Sequence, residues 1–191
     1  ALSICILTST AQAAPFRIHP YNFFGAAEEF TASIALGDLD GDGDLDGLAV
    51  NGRHWVQQDR AYFNNGLGLF RTAAPVGARE GTGYVAALAD FDGDGDLDAV
   101  IARDLLPALM VRNDGHGNFD AEEEFGPMLQ ARSALAGDLD SDGDTDLVVS
   151  LRGEVNILFL NDGTGQLSAS ASIGGEYQTI GGAMADLDSD G

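Results

Sequence analysis

Lysine is missing from the 191-residue chain, and its nine arginines face 31 acids for a formal net charge of −22. Without a basic patch to neutralise phosphates, binding to DNA, RNA or an anionic membrane surface is disfavoured. Cysteine is almost missing too: Cys5 is the only one. It lies in a segment expected to be removed, so the mature chain has no disulfide with which to staple a fold. No apolar run approaches the roughly 18 residues of a membrane-spanning helix. The three histidines, His19, His54 and His116, are scattered and read as surface or turn residues. No nucleophile–base set, catalytic carboxylate pair or phosphate loop is present, so the expectation is a protein that is not itself an enzyme.

The N-terminus reads as a targeting segment. An apolar, hydroxyl-rich run over residues 1–10 is followed by Ala11-Gln12-Ala13, whose small residues fit signal-peptidase cleavage after Ala13. Residues 1–13 are therefore expected to be a signal-peptide remnant, and the chain from residue 14 to be secreted, whether extracellular, periplasmic or held at a cell surface. A lipoprotein reading around Cys5 is disfavoured because Ile4, directly before it, is not small.

The negative charge is concentrated. Eighteen of the 31 acids sit in four short clusters, and the rest of the chain is close to balanced, with 45% hydrophobic residues overall. Segments 38–46, 90–98 and 138–146 read DLDGDGDLD, DFDGDGDLD and DLDSDGDTD, and 186–191 begins a fourth copy, DLDSDG. An Asn/Asp-Gly turn keeps the same beat, at residues 64–66, 113–115 and 161–163. Two landmarks in phase mark an internal repeat of about 50 residues. Repeats are placed near 31–79, 80–128 and 129–175, with a truncated one at 176–191.

Between the landmarks the pattern is that of short strands. Small and apolar residues precede each aspartate loop (34–37, 86–89, 134–137, 182–185), and apolar strands follow it (48–50, 99–101, 147–150). A third strand, such as 154–160, runs into the Asn/Asp-Gly turn, which strongly signals a hairpin. A fourth begins near Phe70, Phe119 or Leu167. Four strands per period with no helical periodicity predict an all-β fold of propeller blades, the small residues lying on the inner strand. Trp55 and Tyr84 are expected to pack between blades, with a ligand surface as the alternative, and Arg152-Gly153-Glu154 to be a strand-connecting turn.

The aspartate loops carry the chemistry. Counted from the first Asp, carboxylates fall at positions 1, 3, 5, 7 and 9 with Gly at position 6: Asp38, Asp40, Asp42, Asp44 and Asp46; Asp90, Asp92, Asp94, Asp96 and Asp98; Asp138, Asp140, Asp142, Asp144 and Asp146; and, incomplete, Asp186, Asp188 and Asp190. Alternate spacing converges side chains on one point, and like charges at about 4 Å repel by roughly 1 kcal/mol per pair even in water. A cation reverses that sign. Hard oxygen donors without Cys or His disfavour zinc, copper and iron, and Ca²⁺ tolerates such a loop better than the stricter Mg²⁺. The opening half matches a calcium loop of EF-hand type, but position 12 is Ala49, Ile101 or Val149 and a strand follows where a helix would be expected. The Asp at position 9 must then close the site. About one Ca²⁺ per complete loop is expected. Position 2 is apolar in every loop (Leu39, Phe91, Leu139, Leu187), as for a side chain that packs inward. Thrombospondin- or dockerin-type calcium repeats need shorter periods, and the former also needs cysteines.

A D-x-D-x-D-G-x-x-D loop between two strands, in a period near 50 with an Asn/Asp-Gly turn, resembles the FG-GAP/VCBS repeat of integrin alpha-chain propellers and many bacterial secreted proteins. The resemblance covers residues 31–191; Phe24-Gly25-Ala26 and the stretch 74–77 only echo the signatures that name the family. It implies a β-propeller of four-stranded blades, typically about seven, of which three and a partial one are present here. It further implies side-chain ligation by positions 1, 3, 5 and 9, a backbone carbonyl ligand from position 7, and structural calcium on one face. A protein or carbohydrate partner is implied for the opposite face. The function expected on these grounds is a secreted, calcium-binding, non-catalytic scaffold for binding or adhesion. The rival is the propeller portion of an extracellular carbohydrate- or lipid-acting enzyme whose catalytic residues lie elsewhere.

Overall fold

A computed structural model describes residues 29–185 apart from 71. The proposed signal segment 1–13 and the fourth loop, with Asp186, Asp188 and Asp190, lie outside the described residues.

Nine strands and no helix occur among the described residues: β1 (Thr31–Gly37), β2 (Asp46–Asn51), β3 (Gln57–Phe63), β4 (Thr72–Gly81), β5 (Gly83–Ala89), β6 (Asp98–Arg112), β7 (Ala121–Gly137), β8 (Asp146–Leu160) and β9 (Ser168–Gln178). Strands β1 to β4 form one antiparallel meander, and β5 to β9 a second continuous sheet. The second sheet contains two blades, because its long strands serve twice. The first part of β6, 98–103, pairs with β5, while 104–112 pairs with β7. The amide after the end of β6, Asn113 N, donates to the Asp98 carboxylate at its start, so the strand doubles back; β8 does the same through Asn161 and Asp146. Strand β7 is the outer strand of one blade over 121–130 and the inner strand of the next over 131–137. Three four-stranded blades result, with inner strands β1, β5 and the end of β7 packed side by side and no closed ring among the described residues.

The core lies between blades rather than beneath one sheet. Period-two alternation in β6 sends Ala99 and Ile101 into the layer shared with the first blade, alongside Leu48, Val50, Leu109 and Phe119. Val100 and Ala102 go into the layer shared with the third, alongside Leu147, Val149 and Phe159. A strand buried on both faces reads as an unbroken apolar run, as residues 99–102 do. Ile34 and Leu36 of the first blade's inner strand are exposed.

Loop position 2 is buried in the first two blades and partly exposed in the third. Leu39 and Phe91 are 0% and 1% exposed, each beneath the following blade, whereas Leu139 of the third blade is 39% exposed.

Candidate functional site

Each aspartate loop joins the inner strand of a blade to the next strand, so all three lie at the same end of the blades. Within a loop the position-1 carboxylate organises the backbone. Asp38 accepts from Gly41 N (2.9 Å) and Gly43 N (3.0 Å); Asp90 accepts from Gly93 N and Gly95 N, and Asp138 from Ser141 N and Gly143 N. Position 6 is left-handed every time (Gly43 φ 90, Gly95 φ 96, Gly143 φ 98), a conformation in which glycine alone is unstrained.

Three carboxylate groups follow, each with ligand atoms within 4.8 Å of one another: Asp38, Asp40 and Asp42; Asp90, Asp92 and Asp94; and Asp138, Asp140 and Asp146. These groups could hold a metal ion. The second loop gives the strongest sign of fit. Asp92 Oδ1 is buried without a hydrogen-bond partner, while Oδ2 accepts from Arg112 Nη1 at 2.6 Å. A buried carboxylate oxygen without a donor is costly, and an oxygen-seeking cation would satisfy it. Desolvation, then the charges of Asp46 and Asp42, holds the Asp40 carboxyl above its ordinary range. Asp140 and Asp144 are raised in the same way, desolvation first and then their acidic neighbours.

Positions 7 and 9 have other work. Position 7 directs its side chain at the Asn/Asp-Gly turn: a β-carbon on Gly66, Gly115 or Gly163 would collide with the carboxylate of Asp44, Asp96 or Asp144. That leaves the position-7 carbonyl as the group available to the loop interior. Position 9 is fully buried in all three loops and clamps two segments of its blade. Asp46 accepts from Leu39 N (2.9 Å) and Asn64 N (2.7 Å); Asp98 accepts from Phe91 N and Asn113 N, and Asp146 from Leu139 N and Asn161 N. Burial pushes the Asp98 carboxyl up to about 6, with the Asp92 and Asp94 charges adding to the rise and the two amides opposing it. Position 9 was expected only to close the site; it also ties the loop to the third strand, and only in the third loop does it join the convergent group.

Sequence reasoning missed the groups that link one blade's loop to the next blade. Asn113 Nδ2 donates to Leu39 O (2.9 Å) and Asn161 Nδ2 to Phe91 O (2.7 Å). The in-phase Asn of each turn was the available signal. Asn64 has no such bond among the described residues and donates to Leu45 O of its own blade. Arg112, between Asp92 and Thr164 O (3.0 Å), had no sequence signal, since Phe63 and Leu160 occupy the matching positions.

At the opposite end the expectation for Trp55 is corrected. Trp55 is 55% exposed and stacks on Phe30 with centroids 4.6 Å apart, instead of packing between blades. The Tyr84 ring lies beneath the guanidinium groups of Arg53 and Arg132. Gly153 (φ 77) makes the tight turn expected at Arg152-Gly153-Glu154.

None of the curated proteins matches the chain. The FG-GAP-like repeat matches at residues 38–101 and again at 138–191, together more than half of the length, and both matched segments open on the first Asp of a loop. Repeated loops, strand order and inter-blade packing agree with that match, and the chain belongs to the FG-GAP-like repeat family.

Proposed function

We propose that the chain is a secreted, calcium-stabilised propeller that acts as a non-catalytic scaffold for binding or adhesion. The calcium sits in the aspartate loops, and a protein or carbohydrate partner is held on the opposite face. The observation that carries the metal assignment is the threefold recurrence of convergent carboxylates, one of them with the orphaned, buried Asp92 Oδ1. All-oxygen donor sets on a flexible glycine-turned loop favour Ca²⁺ over transition metals and over Mg²⁺. Bound there, the ion supplies charge neutralisation and a cross-link between strands. The protein contributes the rest: position 1 shapes the loop backbone, positions 3 and 5 present carboxylates, and position 9 anchors the loop to the core. Secretion is supported by residues 11–14 and by the need for metal in place of disulfides, and among the described residues no helix is long and apolar enough to cross a membrane.

Calorimetric titration of the chelator-treated protein tests the reading. About one Ca²⁺ per complete loop should bind, three in all, with Mg²⁺ much weaker. A stoichiometry of none or one would reject it.

A further inference from the structure

Five aspartates crowd each complete loop, yet among the described residues only the second loop has a basic partner. Phe63, Arg112 and Leu160 hold the same place in successive blades, directly before the Asn of the turn. Phe63 lies against Gly117 of the next blade, where a β-carbon would strike its ring, and Arg112 lies against Gly165 in the same way. The position thus makes an apolar contact from the first blade to the second and a charged one from the second to the third.

Arg112 is held at both prongs of its fork. Nη1 donates to Asp92 Oδ2 at 2.6 Å, and Nη2 donates to Thr164 O of the third blade at 3.0 Å. The two side chains of the ion pair are 25% and 21% exposed, so water screens the pair only in part. Two bonds from one planar group fix its orientation, as a lysine ammonium could not. One oxygen of Asp92 is therefore taken, and the other, Oδ1, is buried without a partner. The other ion-paired arginines lie away from the loops: Arg60, Arg79, Arg103 and Arg132 pair with Glu29, Glu122, Glu124 and Asp104. Asp40 and Asp140, which match Asp92 in their own loops, have no arginine among the described residues.

The guanidinium acts in opposite senses with and without metal. Without metal it offsets one of five negative charges, so the second loop repels itself less than the other two. With metal at Oδ1, a fixed positive charge faces a dication across a single carboxylate and withholds the second oxygen from it. Coulomb repulsion at such short range is felt even in water. Thr164 O and the close fit at Gly165 keep the guanidinium from swinging clear. A side chain that served only to hold the loop in shape would act the other way, since its loss would loosen the site and weaken calcium binding.

We propose that Arg112 is a positioning residue and internal counter-charge for the second loop, lowering its calcium affinity and latching it to the third blade when metal is absent. This rests on the calcium reading above and names the regulation of one of its sites. The observation that carries it is one guanidinium shared between Asp92 and Thr164 O.

Hydrogen exchange read by mass spectrometry tests the role on the full chain, at a temperature below the melting of the chelated protein. Exchange is followed over residues 38–46, 90–98 and 161–166 as free calcium is raised. Arg112→Leu and Arg112→Gln remove the charge, and Arg112→Lys retains it. Both neutral variants should move the midpoint for residues 90–98 to free calcium about threefold lower or more, leaving that for 38–46 unmoved. Under chelator both should exchange faster than the parent at 90–98 and at 161–166, by about threefold or more. Arg112→Lys should keep the parent's midpoint at 90–98. An unmoved or higher midpoint in the neutral variants, unchanged exchange under chelator, or a lysine variant that behaves like the neutral ones would overturn the proposal. If residues 38–46 gain protection with calcium while the midpoint at 90–98 fails to fall in the neutral variants, only the role of Arg112 is refuted. Absence of calcium-dependent protection in every loop would instead strike the calcium reading itself.

Discussion

Two aspartates four residues apart in the middle loop have different roles. Asp92 presents a buried, unpartnered oxygen, whereas Asp96 directs its side chain at the Gly115 turn. Asp92→Ala should therefore reduce calcium affinity at that loop by at least tenfold, and Asp96→Ala should do much less, both read by calorimetry. Equal losses would contradict this organisation of the loop. A second residue-scale expectation concerns Asp59 on β3, only 4% exposed. Burial pushes its carboxyl up to about 7, against the opposing effects of the Asn51 amide and the Arg103 charge. A carboxyl raised in the folded state stabilises below its unfolded pKa, near 3.8, and that contribution is lost as pH rises through about 7. Asp59→Asn keeps an acceptor for Asn51 N (2.6 Å) and removes the charge. Its melting temperature should exceed the parent's at pH 8, and the difference should shrink steadily as pH falls from about 7 towards 3.8. A variant less stable than the parent at pH 8 would contradict the assignment.

Among the elements, the Asn at the end of each third strand couples blades. Asn161 donates to Phe91 O and Thr145 O and accepts from Gly165 N, and Asn113 repeats the pattern with Leu39 O, Leu97 O and Gly117 N. Truncation leaves buried carbonyls without donors, each at a cost of about 1–3 kcal/mol. Asn113→Ala and Asn161→Ala should thus each destabilise the protein by about 2–4 kcal/mol in denaturant unfolding. Asn64→Ala, which breaks only bonds within its own blade, should cost visibly less. Similar losses at all three positions would mean that the inter-blade bond contributes little.

For the molecule as a whole, calcium should decide stability. Extracellular calcium modules bind with Kd of about 10⁻⁴ to 10⁻³ M. At about 2 mM Ca²⁺ and a Kd near 0.1 mM each site contributes about 1.8 kcal/mol. Three such sites give about 5 kcal/mol, comparable to the total stability of a small domain. The only cysteine is Cys5, so no disulfide within this sequence can substitute. Chelator should lower the melting temperature by roughly ten degrees or more, reversibly on restoring Ca²⁺. Coincident curves would show that the aspartates are not structural metal ligands.

The sequence by itself determined what is local and periodic. Carboxylate spacing with Gly43, Gly95 and Gly143 dictates a loop that converges on one point, because alternate residues share a side and glycine alone turns freely there. The apolar runs around 48–50, 99–101 and 147–150 dictate strands, and the recurrence of both dictates blades. Tertiary structure decided what depends on a second blade. Leu39 and Phe91 are buried because residues of the following blade cover them. The clamping role of Asp46, Asp98 and Asp146, the reach of Asn161 to Phe91 O across 70 residues and the pairing of Arg112 with Asp92 are long-range contacts without a local signature. Trp55 shows the same limit: a large aromatic side chain favours burial, yet it lies on the surface against Phe30.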